Sequence, residues 1–165
     1  MKAMFLDLRQ RFPWVLAMTL IGGLSFVWAQ VLVAEFEIAS ALGQRVVKAG
    51  EYKQVFAAPI GWTTHLAISF SYALLFAVLL SVPFFPKEQP KRLLVGFVLA
   101  VVLGWFTTVI TGPAVSATVS LLAGQGIPEN FSPLYFGIDI FLYVHVGFFV
   151  LAWLLVGWAA DCFKE

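Results

Sequence analysis

From Ile60 to Val82 the chain reads IGWTTHLAISFSYALLFAVLLSV, more than twenty residues without a formal charge. At ~1.5 Å per residue, a helix of that length crosses a hydrocarbon core of about 30 Å. His65 sits one and a half turns inside it. Hydrocarbon offers no water to the nitrogens of an imidazole, so an ionisable group held there needs a partner or a task. The rest of the chain is read around this segment, as neighbours that must pack against it and supply polar atoms at the depth of His65.

Composition points the same way, since 61% of the residues are hydrophobic and 12% charged, whereas soluble domains carry about a quarter charged residues. The expected fold class is all-α: a polytopic membrane protein, a four-transmembrane-helix bundle with a broken or re-entrant segment before the last helix. The 165 residues hold four spans and short loops as one membrane domain, 1–165, with no room for a separate soluble domain. A net charge of +1 predicts no nucleic-acid partner. The single cysteine, Cys162, has no second thiol to pair with, and the absence of CxxCH excludes covalent c-type haem. The N-terminal MKAMFLDLRQRF precedes an apolar run over 13–34. That run is longer than the about 7–15 residues of a signal-peptide core, so it reads as span 1.

Span 1 is expected over 13–34, with Gln30 its one strongly polar side chain. Residues 38–58 mix Arg45, Lys48, Glu51 and Lys53 with Leu42, Val46, Val47, Val55 and Phe56, as an outer amphipathic segment broken at Gly50 would. Span 2 runs over 60–82, entered after Pro59, and span 3 over 93–111. The prolines and charges between them form a short hairpin that makes the two spans antiparallel. Gly96, Ala100, Gly104, Thr108 and Gly112 recur every four residues. Such a small-residue stripe lets helix backbones approach, and it is the expected surface for a membrane-protein partner or a homo-oligomer, alongside the lipid bilayer itself. Gly112-Pro113 breaks the helix, leaving 113–132 as an outer half-helix or loop. Span 4 is expected over 134–160, with Ser132 and Pro133 as its N-cap and first helical residue.

Seven Lys and Arg (Lys2, Arg9, Arg11, Lys87, Lys91, Arg92, Lys164) fall on the side of the termini and three (Arg45, Lys48, Lys53) on the other. The positive-inside rule then puts both termini in the cytoplasm. Depth assigns the site. His65 lies roughly 9 Å and His145 roughly 7–8 Å outward of their span centres. Gln30, Thr107 and Thr108 reach the same level, Ser69 and Tyr72 continue the face of His65 inward, and Asp139 lies near the start of span 4. Three readings fit these residues: an interhelical hydrogen-bond cluster, a proton-responsive polar cavity in the outer half, and bis-histidine ligation of one haem b by His65 and His145. Two histidines, one Asp and a distant Cys make no closed metal-ligand set. No catalytic motif is present, so no enzymatic activity is expected.

Thr64-His65 opening a Ser-, Tyr- and Phe-containing span, Phe85-Pro86-Lys87 at its end, Leu93-Leu94-Val95-Gly96, the Gly112-Pro113 break and His145 in the last span together resemble the YagU-like family of small bacterial inner-membrane proteins. The resemblance covers about 61–156. It implies an inner-membrane protein associated with acid tolerance, which accords with the proton-responsive reading. The rival expectations are a haem-b or quinone-linked electron-transfer anchor and a structural subunit of a membrane complex.

Overall fold

A computed structural model describes residues 12–14, 16–18, 20–22, 24–25, 38–81 and 89–162. Among them the chain is helical, with no strand. α1 is helical at its described positions between 12 and 25. Then come α2 (Ile38–Ala49), a 3-10 turn (Gln54–Phe56), α3 (Ala57–Ser81), α4 (Gln89–Val109), α5 (Thr111–Leu122) and α6 (Ile140–Cys162). Gln30, the 82–88 hairpin and the side chain of Cys162 lie outside the described residues.

Two stretches are long and apolar enough to cross a membrane: Gln54–Leu80, 27 residues, and Pro90–Val109, 20 residues. They are the second and third of the four expected spans. Pro59 falls in the first turn of α3 rather than before it, where its missing N–H costs nothing, so the helix starts at Ala57.

α2 is the amphipathic segment. Ala39, Gly43, Val46 and Val47 are buried, while Gln44, Arg45 and Lys48 are exposed, the spacing of one helix face. That buried face lies against the start of α3. A Cβ on Gly43 would collide with the Ala57 carbonyl and reach Gly61 N at 2.9 Å; one on Gly61 would collide with the Ala39 carbonyl. Ala39-xxx-Gly43 and Ala57-xxx-Gly61 therefore cross backbone to backbone. The C-terminus of α2 closes with the amide of Tyr52 on Val47 O at 2.9 Å and Glu51 left-handed at φ 53. The end of α5 closes the same way, Gln125 N on Ser120 O at 2.9 Å, but with Gly124 at the left-handed position. The two ends are tied together. Gln125 Nε2 donates to Ala49 O at 2.8 Å and Tyr52 OH to Leu122 O at 3.0 Å, satisfying terminal carbonyls that no helix turn can reach.

The break between α4 and α5 falls at Ile110, φ −87° and ψ 1°, rather than at Gly112-Pro113. Pro113 acts at a distance of one turn, because it has no N–H for the carbonyl four residues back, Val109. The Tyr135 amide takes that acceptor instead, at 2.9 Å. The second half of the expected segment 113–132 is loop, and its first half is helix, α5 running Thr111–Leu122. The last helix begins at Ile140, not at 134. Ser132 is not its cap; its hydroxyl and amide both meet Ser116 Oγ, at 2.6 and 3.0 Å. Asp139 caps the helix, accepting the Phe141 amide on Oδ1 at 3.0 Å.

The small-residue stripe is occupied within the chain. A Cβ on Gly104 would come within 2.5 Å of Val146 Cα, and one on Gly96 within 3.0 Å of the Trp153 ring. Trp153 Nε1 also donates to Leu93 O at 3.0 Å. α4 thus turns Gly96, Ala100, Gly104, Thr107 and Thr108 toward α6 and leaves Leu94, Val98, Val101, Val102, Trp105 and Phe106 exposed. The core joins Met18 of α1, Ala73, Phe76, Ala77 and Leu80 of α3, Ala100 of α4, and Phe148, Phe149 and Ala152 of α6. The rings of Phe148 and Phe149 therefore face inward rather than outward.

Candidate functional site: a histidine pair between two helices

Four-residue spacing runs down one face of α3 through Ala57, Gly61, His65 and Ser69, all buried. The first two receive α2. His65 comes one turn below the glycine crossing, with its Nε2 fully enclosed. The Trp62 indole stands edge-on to its ring, centroids 6.2 Å apart. Across the interface, α6 supplies His145. The two imidazoles, 80 residues apart in sequence, sit on helices that share one core, α3 through Phe76 and α6 through Phe149.

His145 Nδ1 lies 2.7 Å from Phe141 O, the carbonyl one turn back on its own helix. A carbonyl only accepts, so Nδ1 carries a hydrogen and, in the neutral ring, Nε2 carries the lone pair. The backbone of α6 therefore sets the tautomer.

Directly inward, aromatic rings fill the gap. The Phe149 ring lies 6.0 Å from that of Tyr72, 5.7 Å from Phe76 and 5.1 Å from Phe148. Tyr72 is half-buried in this stack and Ser69 lies buried between it and His65.

The remaining expected site residues are placed as follows. Thr107 and Thr108 are buried, but their hydroxyls donate to carbonyls of their own helix: Thr107 to Leu103 O at 2.8 Å and Gly104 O at 3.1 Å, Thr108 to Gly104 O at 2.8 Å. Such back-bonding is the usual way a hydroxyl is satisfied inside a helix. Asp139 stands at the start of α6, six residues before His145, and both of its oxygens are engaged. One receives the Phe141 amide and the other the Tyr135 hydroxyl. The hydrogen bond to that carboxylate, helped by burial and its negative charge, holds the Tyr135 phenol above its ordinary range. Gln30 lies outside the described residues. Among the described residues no group of three or more His, Cys, Asp or Glu is placed to hold a metal ion.

Sequence reasoning missed the backbone crossing one turn from His65. Ala39, Gly43, Ala57 and Gly61 carry a legible signal, small residues four apart on two successive segments, which only the stripe on α4 was read for. Tyr135 carries none, because its amide is called into place by a proline 22 residues earlier. Comparison of the chain with protein-family models, with curated proteins and with solved structures returns no match.

Proposed function

We propose that the chain is a small, non-enzymatic integral membrane protein whose His65–His145 pair is a proton-responsive site. The observation that carries the reading is that α3 and α6, which share one core, each bring one imidazole into the interior, His65 buried and His145 half-buried. Imidazole is the side chain whose charge changes between about pH 5 and 8, and two that feel each other take up protons in coupled steps. Arg45 and Lys48 of α2 are exposed on the far face, and Asp139 is committed to the α6 cap.

Membrane insertion is supported by the inverted polarity of α4, which buries glycine and threonine and exposes leucine, valine and aromatic rings. A helix packed in water does the opposite, whereas lipid is as good a solvent for leucine as a protein core is. In this reading α1, α3, α4 and α6 are the four spans of a bacterial inner-membrane protein with both termini in the cytoplasm. The resemblance to the YagU-like family fits a role in acid tolerance.

The test uses the fact that the chain has two histidines. In protein labelled at histidine and reconstituted in nanodiscs, NMR titration should show two coupled steps, and His145→Ala should displace the titration of His65. Unchanged His65 titration in that variant would overturn the reading. Cells carrying His65→Ala or His145→Ala should lose any acid-dependent phenotype while still inserting the protein.

One observation favours a second reading: the His145 tautomer leaves Nε2 in the state that an axial haem ligand needs. Against it, the rings of Tyr72, Phe76 and Phe149 occupy the adjoining space between α3 and α6, where a porphyrin would have to displace them. An oxidised-minus-reduced visible spectrum of purified protein decides. A Soret band lost in both histidine variants would establish haem b, and a flat spectrum at good yield would remove it.

A further inference from the structure

Between α5 and α6 the chain doubles back along α5. Ser132 binds Ser116, Pro133 abuts Gly112, and Tyr135 N reaches Val109 O at the end of α4. One side of this extended segment is thereby fastened. Its other side alternates, as an extended chain must: Leu134, Phe136 and Ile138 point outward, 52%, 66% and 80% exposed, while Tyr135, Gly137 and Asp139 turn in. Phe131 and Ile127 add two more exposed apolar side chains. From Phe131 to Ile138 there is no formal charge.

The level of this segment is set by α4. Pro90–Val109 is 20 residues, about 30 Å of helix and one hydrocarbon thickness. Val109, and the extended segment fastened to it, therefore stand at the membrane boundary. Exposed Trp105 lies one turn inside that end of α4 and exposed Tyr143 in the first turn of α6, the residue types that settle at headgroup level.

Neither bulk phase suits the segment. Between Phe131 and Ile138 the amides that find protein acceptors among the described residues are those of Ser132 and Tyr135. Hydrocarbon would leave the others unsatisfied, and water would leave a row of large apolar side chains exposed. The headgroup zone supplies water to the backbone and acyl chain to the side chains. We propose that residues 131–138 form an interfacial strap whose Leu134, Phe136 and Ile138 insert into the lipid of the adjacent leaflet. The strap anchors the loop that leads into the His145 helix. It rests on the reading that the chain spans the membrane, and the experiment separates the two.

The full chain carrying Cys162→Ser receives single cysteines in turn: Leu134→Cys, Phe136→Cys, Ile138→Cys, Val101→Cys on the exposed middle of α4, and Glu129→Cys in the charged part of the loop. Each is labelled with an environment-sensitive fluorophore in phosphatidylcholine nanodiscs, with bromine near the headgroup or near the chain end. The strap predicts quenching at 134, 136 and 138 strongest with shallow bromine and roughly twofold or more above that at 129, with Val101 quenched by deep bromine. Water-like emission at all three strap positions with Val101 still quenched would overturn the strap and leave the spans standing. An unquenched Val101 would overturn the membrane reading and the strap together. Blue-shifted but unquenched strap probes would mean that protein rather than lipid covers the segment, which also overturns it.

Discussion

At the scale of single residues, two helix ends with the same hydrogen-bond pattern differ in one side chain, and the difference is testable. Glu51 holds φ 53 where Gly124 holds φ 75. A non-glycine residue in the left-handed region costs about 1 kcal/mol. Glu51→Gly should therefore raise the unfolding free energy of detergent-solubilised protein by about 1 kcal/mol, and Gly124→Ala should lower it by about as much; both are read as shifts of the denaturation midpoint. Tyr135 offers a second test. Its phenol is held above the ordinary range chiefly by the hydrogen bond to Asp139. A group with a raised folded value contributes its stability in full below the unfolded value, near 10, and loses it as pH climbs through the folded value. In an ultraviolet titration, Asp139→Asn should bring the Tyr135 phenolate transition down, and Tyr135→Phe should delete it. An unmoved transition in Asp139→Asn would show that the carboxylate does not hold the phenol.

At the scale of elements, two crossings made of small residues hold the helices in pairs. Gly43 and Gly61 bring α2 against α3, and Gly104 brings α4 against α6, in each case with backbone where a Cβ would be. Overfilling such a contact costs about 1–3 kcal/mol. Gly104→Leu should destabilise the protein by that amount or more, through loss of the α4–α6 packing. Gly61→Val should act locally, lifting α2 from α3 one turn above His65. Solvent access to the histidine would then rise, measured as faster modification of His65 by a histidine-reactive reagent, with the thermal midpoint lowered less than by Gly104→Leu. Equal protection of His65 in both proteins would show that α2 does not cover the site. The α4–α5 break belongs at this scale too. Pro113 withholds an N–H from Val109 O, and the loop before α6 fills the vacancy through Tyr135 N, so one proline shapes two segments.

At the scale of the whole molecule, periodicity and charge spacing were enough to read helices over most of the described residues and a turn at Gly50. Their bounds moved by a few residues wherever a cap or a proline acted non-locally, as at Ala57, Ile110 and Ile140. The polar level was half legible. Counting residues from span centres placed His65 and His145 at one depth, because rise per residue is nearly constant along any helix. Rotation about the helix axis is not readable that way, and it separated the members: His65 turns into the interior beside Trp62, His145 turns Nδ1 onto its own helix, Thr107 and Thr108 turn their hydroxyls onto their own backbone and Asp139 turns to the α6 terminus. What the sequence by itself determined is the helical class, the apolar length of Gln54–Leu80 and Pro90–Val109, and the rarity of ionisable groups within them, since these follow from local composition and the fixed geometry of a helix. Only the tertiary structure decided which helix meets the glycine stripe, which rings fill the gap beneath the histidines, and which amide satisfies Val109. Those outcomes depend on side chains distant in sequence competing for the same space and the same hydrogen-bond acceptor, a competition that no single segment records.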